Sequence, residues 1–379
     1  MKKRILIMTD WFYPGFKAGG PIRACYNLAF LLKDEYDIYI YTRDRDLNSN
    51  SPYRTVCRDN WSQFSDSIEI FYSSPENLNW FSIIKEIRKI GPGFIYLNSM
   101  YSLYFTIYPL LIKRIGKTQA KIILSPRGML KAGSMQFKHF KKKSFLSLLK
   151  FSRMSSGIGF HATDEQEKDD IRKVFGHAIP VDTIQDVPPT PANSLKPVEK
   201  KAGELKLVFI GRIHPVKNLH FIIECLKRLP QKIELTVVGP AEDRSYFLYC
   251  QRLSRHLPNN ISVNFTGEVS NEKIKDYLNR HHFMILPTFG ENYCYSIIES
   301  FCAGRPVIIT NKTPWQDLTR QKIGWDLPLN QKEDFEAALN HAAEMVQEEF
   351  SEWSASALNF SRTLAFSDRF KTQYTEMFS

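Results

Sequence analysis

Short apolar runs alternate with helical-period stretches on both sides of a proline-rich segment, and this pattern constrains the chain more than any other feature. The first series has strand-like runs at Arg4 to Thr9, Asp37 to Thr42, Ile68–Tyr72, Phe94–Asn98, Lys121–Ser125 and Gly157–His161. A helical pattern from Ile22 to Leu32 separates the first two, giving a βαβ unit. Thr163-Asp164-Glu165-Gln166 then fits a capping box that opens a helix. The second series has strands at Lys206–Ile210, Glu234–Val238, Ser262–Thr266, Phe283–Leu286 and Pro306–Thr310. Between them, Asp186-Val187-Pro188-Pro189-Thr190-Pro191 and the Lys-Pro-Val-Glu-Lys-Lys run read as a linker. Strand–helix alternation demands parallel sheets covered on both faces. The fold class is therefore α/β, as two doubly wound domains facing a central cleft. The expected boundaries are 1–185, a linker at 186–204, and 205–359. Aromatics at helical spacing from Phe360 to Phe378 suggest a final helix, about 360–379, packing back onto the first domain.

At 379 residues, each domain is long enough to bury its own core. Six cysteines without a CxxC read as reduced thiols. The apolar start Ile5-Leu6-Ile7-Met8 is short for a signal peptide and is interrupted by Asp10. With no apolar run near the ~18 residues that span a bilayer, the expected location is the cytoplasm, with any membrane contact peripheral on its inner face.

The formal net charge of +11 is unevenly placed. Between Ile87 and Thr163 there is no Asp or Glu, yet fourteen Lys and Arg occur. Such a field draws anions: lipid headgroups, nucleic acid or phosphorylated substrates. Within it, residues 136–153 include an amphipathic stretch, with Phe137, Phe140, Phe145, Leu148 and Leu149 on one helical face and lysines elsewhere. It reads either as an ordinary surface helix or as an interfacial one on an anionic membrane.

The chemistry concentrates in the second series. Val208-Phe209-Ile210-Gly211-Arg212 ends a strand with a cation at its crevice edge, and Lys217 precedes a helix. Two cations beside open helix N–H groups suit a diphosphate. Further on, Glu291 leaves the Phe283–Leu286 strand, and Glu299 follows inside a helix ending at Gly304. Acceptors of this kind at a strand-to-helix turn suit polyhydroxyl groups.

In that combination the chain resembles the retaining glycosyltransferases of family 4, of the type B fold with two Rossmann-like domains. The likeness includes Gly19-Gly20-Pro21 with Arg23, His161-Ala162-Thr163 with Glu167, Gly211-Arg212 with Lys217, and Gly267-Glu268-Val269. It continues through Glu291 to Glu299 and Ala303-Gly304-Arg305-Pro306-Val307-Ile308. The resemblance implies that Arg212 and Lys217 hold and neutralise a nucleotide diphosphate, UDP- or GDP-linked. Glu291 would bind the donor sugar's hydroxyls and Glu299 the ribose. Backbone N–H groups of Asn292, Tyr293, Cys294 and Tyr295 would meet sugar and phosphate. Gly19 and Gly20 would admit a close backbone approach, and the loop near Val269 would contact the base.

Arg127 stands in Ser125-Pro126-Arg127-Gly128, where many relatives place a histidine; with His161 it becomes a candidate for acceptor binding. Asn292 and Tyr293 stand where relatives tend to have glycines. No cofactor or metal is expected. Asp44-Arg45-Asp46 matches a metal-binding Asp-x-Asp but reads better as a solvated loop, and His281-His282 as core or surface histidines. The reading is a metal-independent hexosyltransferase acting on a glycan or lipid-linked acceptor in cell-surface polysaccharide or lipopolysaccharide biosynthesis. The alternatives are a DNA-modifying glucosyltransferase, although no nucleic-acid module is recognisable, and a non-catalytic nucleotide-sugar-binding protein.

Overall fold

The computed structural model describes residues 2–130, 146, 149, 157–365 and 368–379. The chain forms two compact α/β units, Met1–Val187 with Asp368–Ser379, and Pro188–Ser367.

Unit 1 is built on an eight-stranded sheet, in the order β3-β4-β2-β1-β5-β6-β7-β8. Its strands are β1 (Lys3–Met8), β2 (Tyr36–Arg43), β3 (Trp61–Ser65), β4 (Ile68–Ser73), β5 (Phe94–Leu97), β6 (Lys121–Leu124), β7 (Gly159–Ala162) and β8 (Val181–Thr183). Pairing is parallel except for β3, which runs antiparallel along β4. Ile5, Leu6, Ile7 and Met8 are all within 1% of full burial, as a central strand covered on both faces requires. The helix following β7 spans Glu165–Phe175, and its cap lies one residue beyond the expected Thr163. Asp164 accepts from the Glu167 N–H, and the Glu167 carboxylate accepts from the Thr163 N–H and hydroxyl at 2.8 and 2.7 Å.

Unit 2 carries a six-stranded sheet, in the order β11-β10-β9-β12-β13-β14, with every pairing parallel. Its strands are β9 (Glu204–Ile210), β10 (Lys232–Val238), β11 (Ile261–Gly267), β12 (Phe283–Leu286), β13 (Val307–Thr310) and β14 (Gly324–Leu327). Helices cross between them, right up to Gln347–Ala365 at the unit's end.

The proline-rich segment is no free linker. Lys200 is buried, and its ammonium donates to the carbonyls of Lys201, Ala343 and Met345 at 2.9, 2.7 and 2.9 Å. Arg305, 1% exposed, donates to the carbonyls of Lys196, Leu278 and Gly304 and to the Ser354 hydroxyl. The segment is thus a strap belonging to unit 2, because buried carbonyl groups outbid its intrinsic freedom. Gly304 serves the same dock: its φ is +66°, and a Cβ there would strike Leu195 of the strap.

The C-terminal aromatics divide between the two units. Phe360 packs on Phe301 within unit 2, at 5.3 Å between rings. Phe370, Tyr374 and Phe378 enter the core of unit 1 beside Tyr36, Phe94 and Tyr96. The 136–153 stretch lies outside the described residues, apart from Leu146 and Leu149, which are buried in unit 1. Among the described residues no helix is long and apolar enough to cross a membrane.

Candidate active site

In unit 2 the chain steps outward from β9 to β10 and β11, then returns to place β12 on the other side of β9. The strand order therefore reverses between β9 and β12, and the C-terminal ends of two such strands are where open α/β sheets bind ligands.

The loop after β9 runs from Gly211 to Asn218. His214 caps a single 3₁₀ turn, Pro215–Lys217, by accepting from the Val216 N–H, and Asn218 closes it in a left-handed conformation at φ 58°. The loop after β12 is laced to it. The Phe289 N–H donates to the Val216 carbonyl at 2.9 Å, and the Thr288 hydroxyl donates to the same oxygen at 3.2 Å. The Glu291 N–H is held by the Lys312 carbonyl at 3.2 Å. This lacing brings the Lys217 Nζ within 2.5 Å of Glu291 Oε1. Their side chains are only 14% and 13% exposed. Burial acts against the charge of Lys217, but the facing Glu291 carboxylate and Cys294 together outweigh it, and the Lys217 pKa is raised.

Arg212 is placed differently. Its guanidinium Nη1 donates to both oxygens of Glu242, at 2.7 and 2.6 Å, in a half-exposed pair. Glu242 sits on the loop after β10, which is zipped to the Arg212 loop by Ile213 N–H to Pro240 carbonyl at 2.8 Å. Gly239, at φ +147°, lets the two loops touch, since a Cβ there would lie 2.0 Å from the Gly211 carbonyl oxygen.

Cys294 adopts φ +63° and stands at the start of the helix Tyr295–Cys302, which has no side-chain cap. That helix N-terminus favours an anion. The Cys294 thiol is pushed up to about 12 by burial and by Glu291, so it stays neutral beside the ion pair. Tyr293 and Tyr295 turn their rings into the unit, at 5% and 7% exposure. Trp315 holds the Tyr293 carbonyl at 2.8 Å. Glu299 lies farther along the helix, half-buried, and Val269 sits half-buried after β11. Of the four charged residues expected to gather, the described contacts join Lys217 directly to Glu291 and set Arg212 against Glu242. Glu242 was missed, although its place just after a strand end and the Gly239-Pro240 turn was a usable signal.

The candidates of unit 1 have other surroundings. Gly19 ends its loop at φ +67°, and a Cβ there would meet nothing within 4 Å, so conformation is what demands glycine. Gly20 begins the following helix, with Pro21 in its first turn. Arg127 has φ +55°, and its side chain is 6% exposed. It pairs with Asp186, donates to Asn98 Oδ1 at 2.7 Å and to the Tyr96 hydroxyl at 2.9 Å. His161 bonds the same hydroxyl at 2.7 Å and the Ile184 carbonyl at 2.8 Å. Burial and the Arg127 charge drop its pKa to about 3, leaving it neutral. Both residues thus hold together the segment by which the chain leaves unit 1.

The Asp-x-Asp reading needs one correction. Asp44 is fully buried, not solvated, with Arg45 and Arg58 each 2.8 Å away. Asp46 accepts from the N–H groups of Phe16, Lys17 and Leu47, and so anchors the glycine loop. His281 and His282 are core histidines bonded to Thr236, Tyr277, Lys206 and Glu199. Among the described residues no cluster of His, Cys, Asp and Glu could hold a metal ion.

Residues 192–354 match the family model described as glycosyl transferases, group 1. A 112-residue stretch is 30% identical to the 2-deoxystreptamine N-acetyl-D-glucosaminyltransferase of Niallia circulans, covering 29% of this chain and 28% of that protein. The chain thus aligns with 28% of the length of the curated relatives it matches. Solved structures match almost end to end. The Anabaena protein HepE in complex with UDP and glucose superposes with a TM-score of 0.69 at 12% identity, covering 99% of each chain. WaaG, a glycosyltransferase involved in lipopolysaccharide biosynthesis, gives 0.65 at 13% identity, again covering 99% of each. At such identities these likenesses establish the fold alone, the two-sheet α/β architecture of type B glycosyltransferases.

Proposed function

We propose that this chain is a glycosyltransferase that binds a nucleoside-diphosphate sugar in unit 2 and passes the sugar to a hydroxylated acceptor. The observation that carries this reading is the Lys217–Glu291 pair, which spans the point where the strand order of unit 2 reverses. A cation and a carboxylate meeting there, beside an uncapped helix N-terminus, offer complementary seats for a diphosphate and for sugar hydroxyls. The family match over 192–354 and the UDP-bound HepE structure agree with it.

In this reading the bond between the anomeric carbon and the diphosphate oxygen breaks, and its electron pair leaves with the diphosphate. Arg212 and Lys217 neutralise that growing charge, while Glu291 holds the sugar's hydroxyls and Glu299 the ribose. Fixed charges of this kind act without reorganisation at the moment of reaction. The acceptor oxygen takes the carbon, and its proton passes to the departing phosphate oxygen. The two cations do the work of charge neutralisation, so the transfer is proposed to be metal-independent. Retention of configuration is proposed from the family resemblance. A lipid-linked or glycan acceptor in cell-surface polysaccharide synthesis is proposed from the basic field and the likeness to WaaG. Gly19 and Gly20 keep their proposed part in backbone approach, and Val269 its part in base contact.

Thermal melting with UDP-, GDP- and ADP-sugars tests the reading. One nucleotide class at millimolar concentration should raise the melting temperature by several degrees. The same ligand should leave the Lys217→Ala protein unmoved. If no nucleotide sugar stabilises the wild-type chain, the reading fails.

A further inference from the structure

We propose that Arg127 is a positioning residue, which sets the Gly19–Gly20 turn of unit 1 through Asn98 and touches no substrate itself. The assignment rests on the proposed function, in which that turn brings backbone close to the reacting groups, and it deepens that reading.

Arg127 and Gly128 follow β6 with φ of +55° and +71°. A residue other than glycine keeps such a conformation only when its surroundings impose it, and residues held this way gather at functional sites. Here the Gly128 N–H donates to Glu167 Oε1 at 2.5 Å, and Glu167 is fully buried. The other Glu167 oxygen is taken by Thr163, so one carboxylate clamps this turn to the end of β7. The Arg127 guanidinium then divides its donors. Nη1 pairs with Asp186, Nη2 donates to the Tyr96 hydroxyl at 2.9 Å, and Nε donates to Asn98 Oδ1 at 2.7 Å. Asp186, itself buried, balances the charge within the unit, which leaves Arg127 poorly suited to hold an acceptor phosphate or a departing diphosphate.

Arginine carries donors only, so it dictates which way the Asn98 amide faces. The oxygen must meet Arg127, and the amide nitrogen is turned to the Pro21 carbonyl at 3.2 Å and the Thr9 hydroxyl at 3.4 Å. Thr9 leaves β1 at the start of the loop that carries Gly19, and Pro21 lies in the first helical turn beyond it. One amide group thus ties the loop's entry to its exit. Asp46 holds the middle, at the N–H groups of Phe16 and Lys17. Asn98 is 2% exposed, so water does not compete for these bonds. Without Arg127 the amide is free to turn over and set its oxygen against the Pro21 carbonyl, where two acceptors repel. Two hydrogen bonds therefore link an arginine held in a left-handed conformation to the glycine turn.

Two variants of the full chain cut the link at different points. Arg127→Lys keeps a charge beside Asp186 but cannot reach Asn98 as well. Asn98→Asp keeps an acceptor for Arg127 and loses the donor to Pro21. Hydrogen-exchange mass spectrometry reads the turn through the amides of Gly19, Ile22 and Arg23, which donate to the Phe16 and Gly19 carbonyls. Each variant should speed exchange there by about tenfold or more and leave β2 as protected as in the wild type. With UDP-, GDP- and ADP-glucose as donors, kcat for sugar release should fall roughly tenfold or more, while the donor KM stays within about twofold because Lys217 and Glu291 are untouched. If one variant melts early, the other carries the test. The inference is overturned if the folded variant exchanges like the wild type at the turn, if β2 loosens as much as the turn, or if the turn loosens and kcat is unchanged. Exchange needs no substrate, so the link stands or falls by itself even if no nucleotide sugar stabilises the wild type. That last result sinks the donor reading alone.

Discussion

Lys217 and Glu291 reach each other from loops that leave adjacent strands, β9 and β12, and close to 2.5 Å with little solvent at either group. Arg212, in the loop with Lys217, spends its charge on Glu242 in a pair half open to water. Two cations expected to act alike are therefore embedded differently. Removing one member of a buried pair strands the other, whereas an exposed pair contributes little to stability.

The two should consequently separate activity from stability. Lys217→Ala is expected to lower transfer at least a hundredfold and to cost on the order of 2–4 kcal/mol in stability. Arg212→Ala is expected to lower transfer comparably while moving stability by less than about 1 kcal/mol. Urea unfolding beside a donor-turnover assay checks both. Equal stability losses in the two variants would contradict the burial argument.

Close contact between loops makes the second prediction. A Cβ on Gly239 would fall on the Gly211 carbonyl, whereas one on Gly203, at φ +81°, would meet nothing within 4 Å. Gly203→Ala should cost about 1 kcal/mol from backbone strain alone. Gly239→Ala should cost more than about 2 kcal/mol, since backbone must move. It should also weaken nucleotide binding, because the displaced loop carries Arg212 and Lys217. Calorimetric titration with the stabilising nucleotide reads the second effect directly.

Acid should weaken unit 1 through a histidine that the fold keeps neutral. Burial drops His161 from 6.5 to about 3, so the unfolded chain takes up a proton that the native one refuses. Stability contributed in this way is complete above pH 6.5 and is lost as pH falls toward 3. His161→Gln should start less stable, through its lost hydrogen bonds, and then lose less on acidification. The gap between wild type and variant should narrow by about 2 kcal/mol from pH 6.5 to pH 5. A constant gap across that range would mean that His161 is protonated in the fold.

Much of this arrangement was legible because buried parallel strands announce themselves. Phe283–Leu286 fell where expected, and most other strands shifted by only one or two residues at an end. The strands that escaped notice lack that signal. Trp61–Ser65 is a half-buried antiparallel edge with no apolar run, Val181–Thr183 has three residues, and Gly324–Leu327 opens on a glycine. The charged residues of unit 2 could be named from type and spacing, but not their pairing. Whether Arg212 meets Glu291 or Glu242 depends on how two loops cross, which no local pattern records. Arg127 shows the same limit, since its partner Asp186 lies 59 residues away.

The proline-rich strap offers the sharpest case of tertiary structure overriding composition, and it yields the last prediction. Arg305 is buried with no carboxylate paired to it among the described residues, and its donors go to the Lys196, Leu278 and Gly304 carbonyls and the Ser354 hydroxyl. Burial lowers its pKa to about 10, so it remains charged at neutral pH and is held entirely by dipoles. Lysine offers one compact ammonium and cannot reach acceptors spread in a fork, so Arg305→Lys should cost about 2–3 kcal/mol. Arg305→Met removes the charge but leaves the carbonyls unanswered, and about 3 kcal/mol or more should be lost. Loss of the Lys196 tether should also loosen the strap around Lys200 and Lys201. Trypsin should then cut there in both variants well before it cuts the wild type. Unchanged cleavage rates at those two lysines would show that Lys200, with its own three carbonyl partners, suffices to hold the strap.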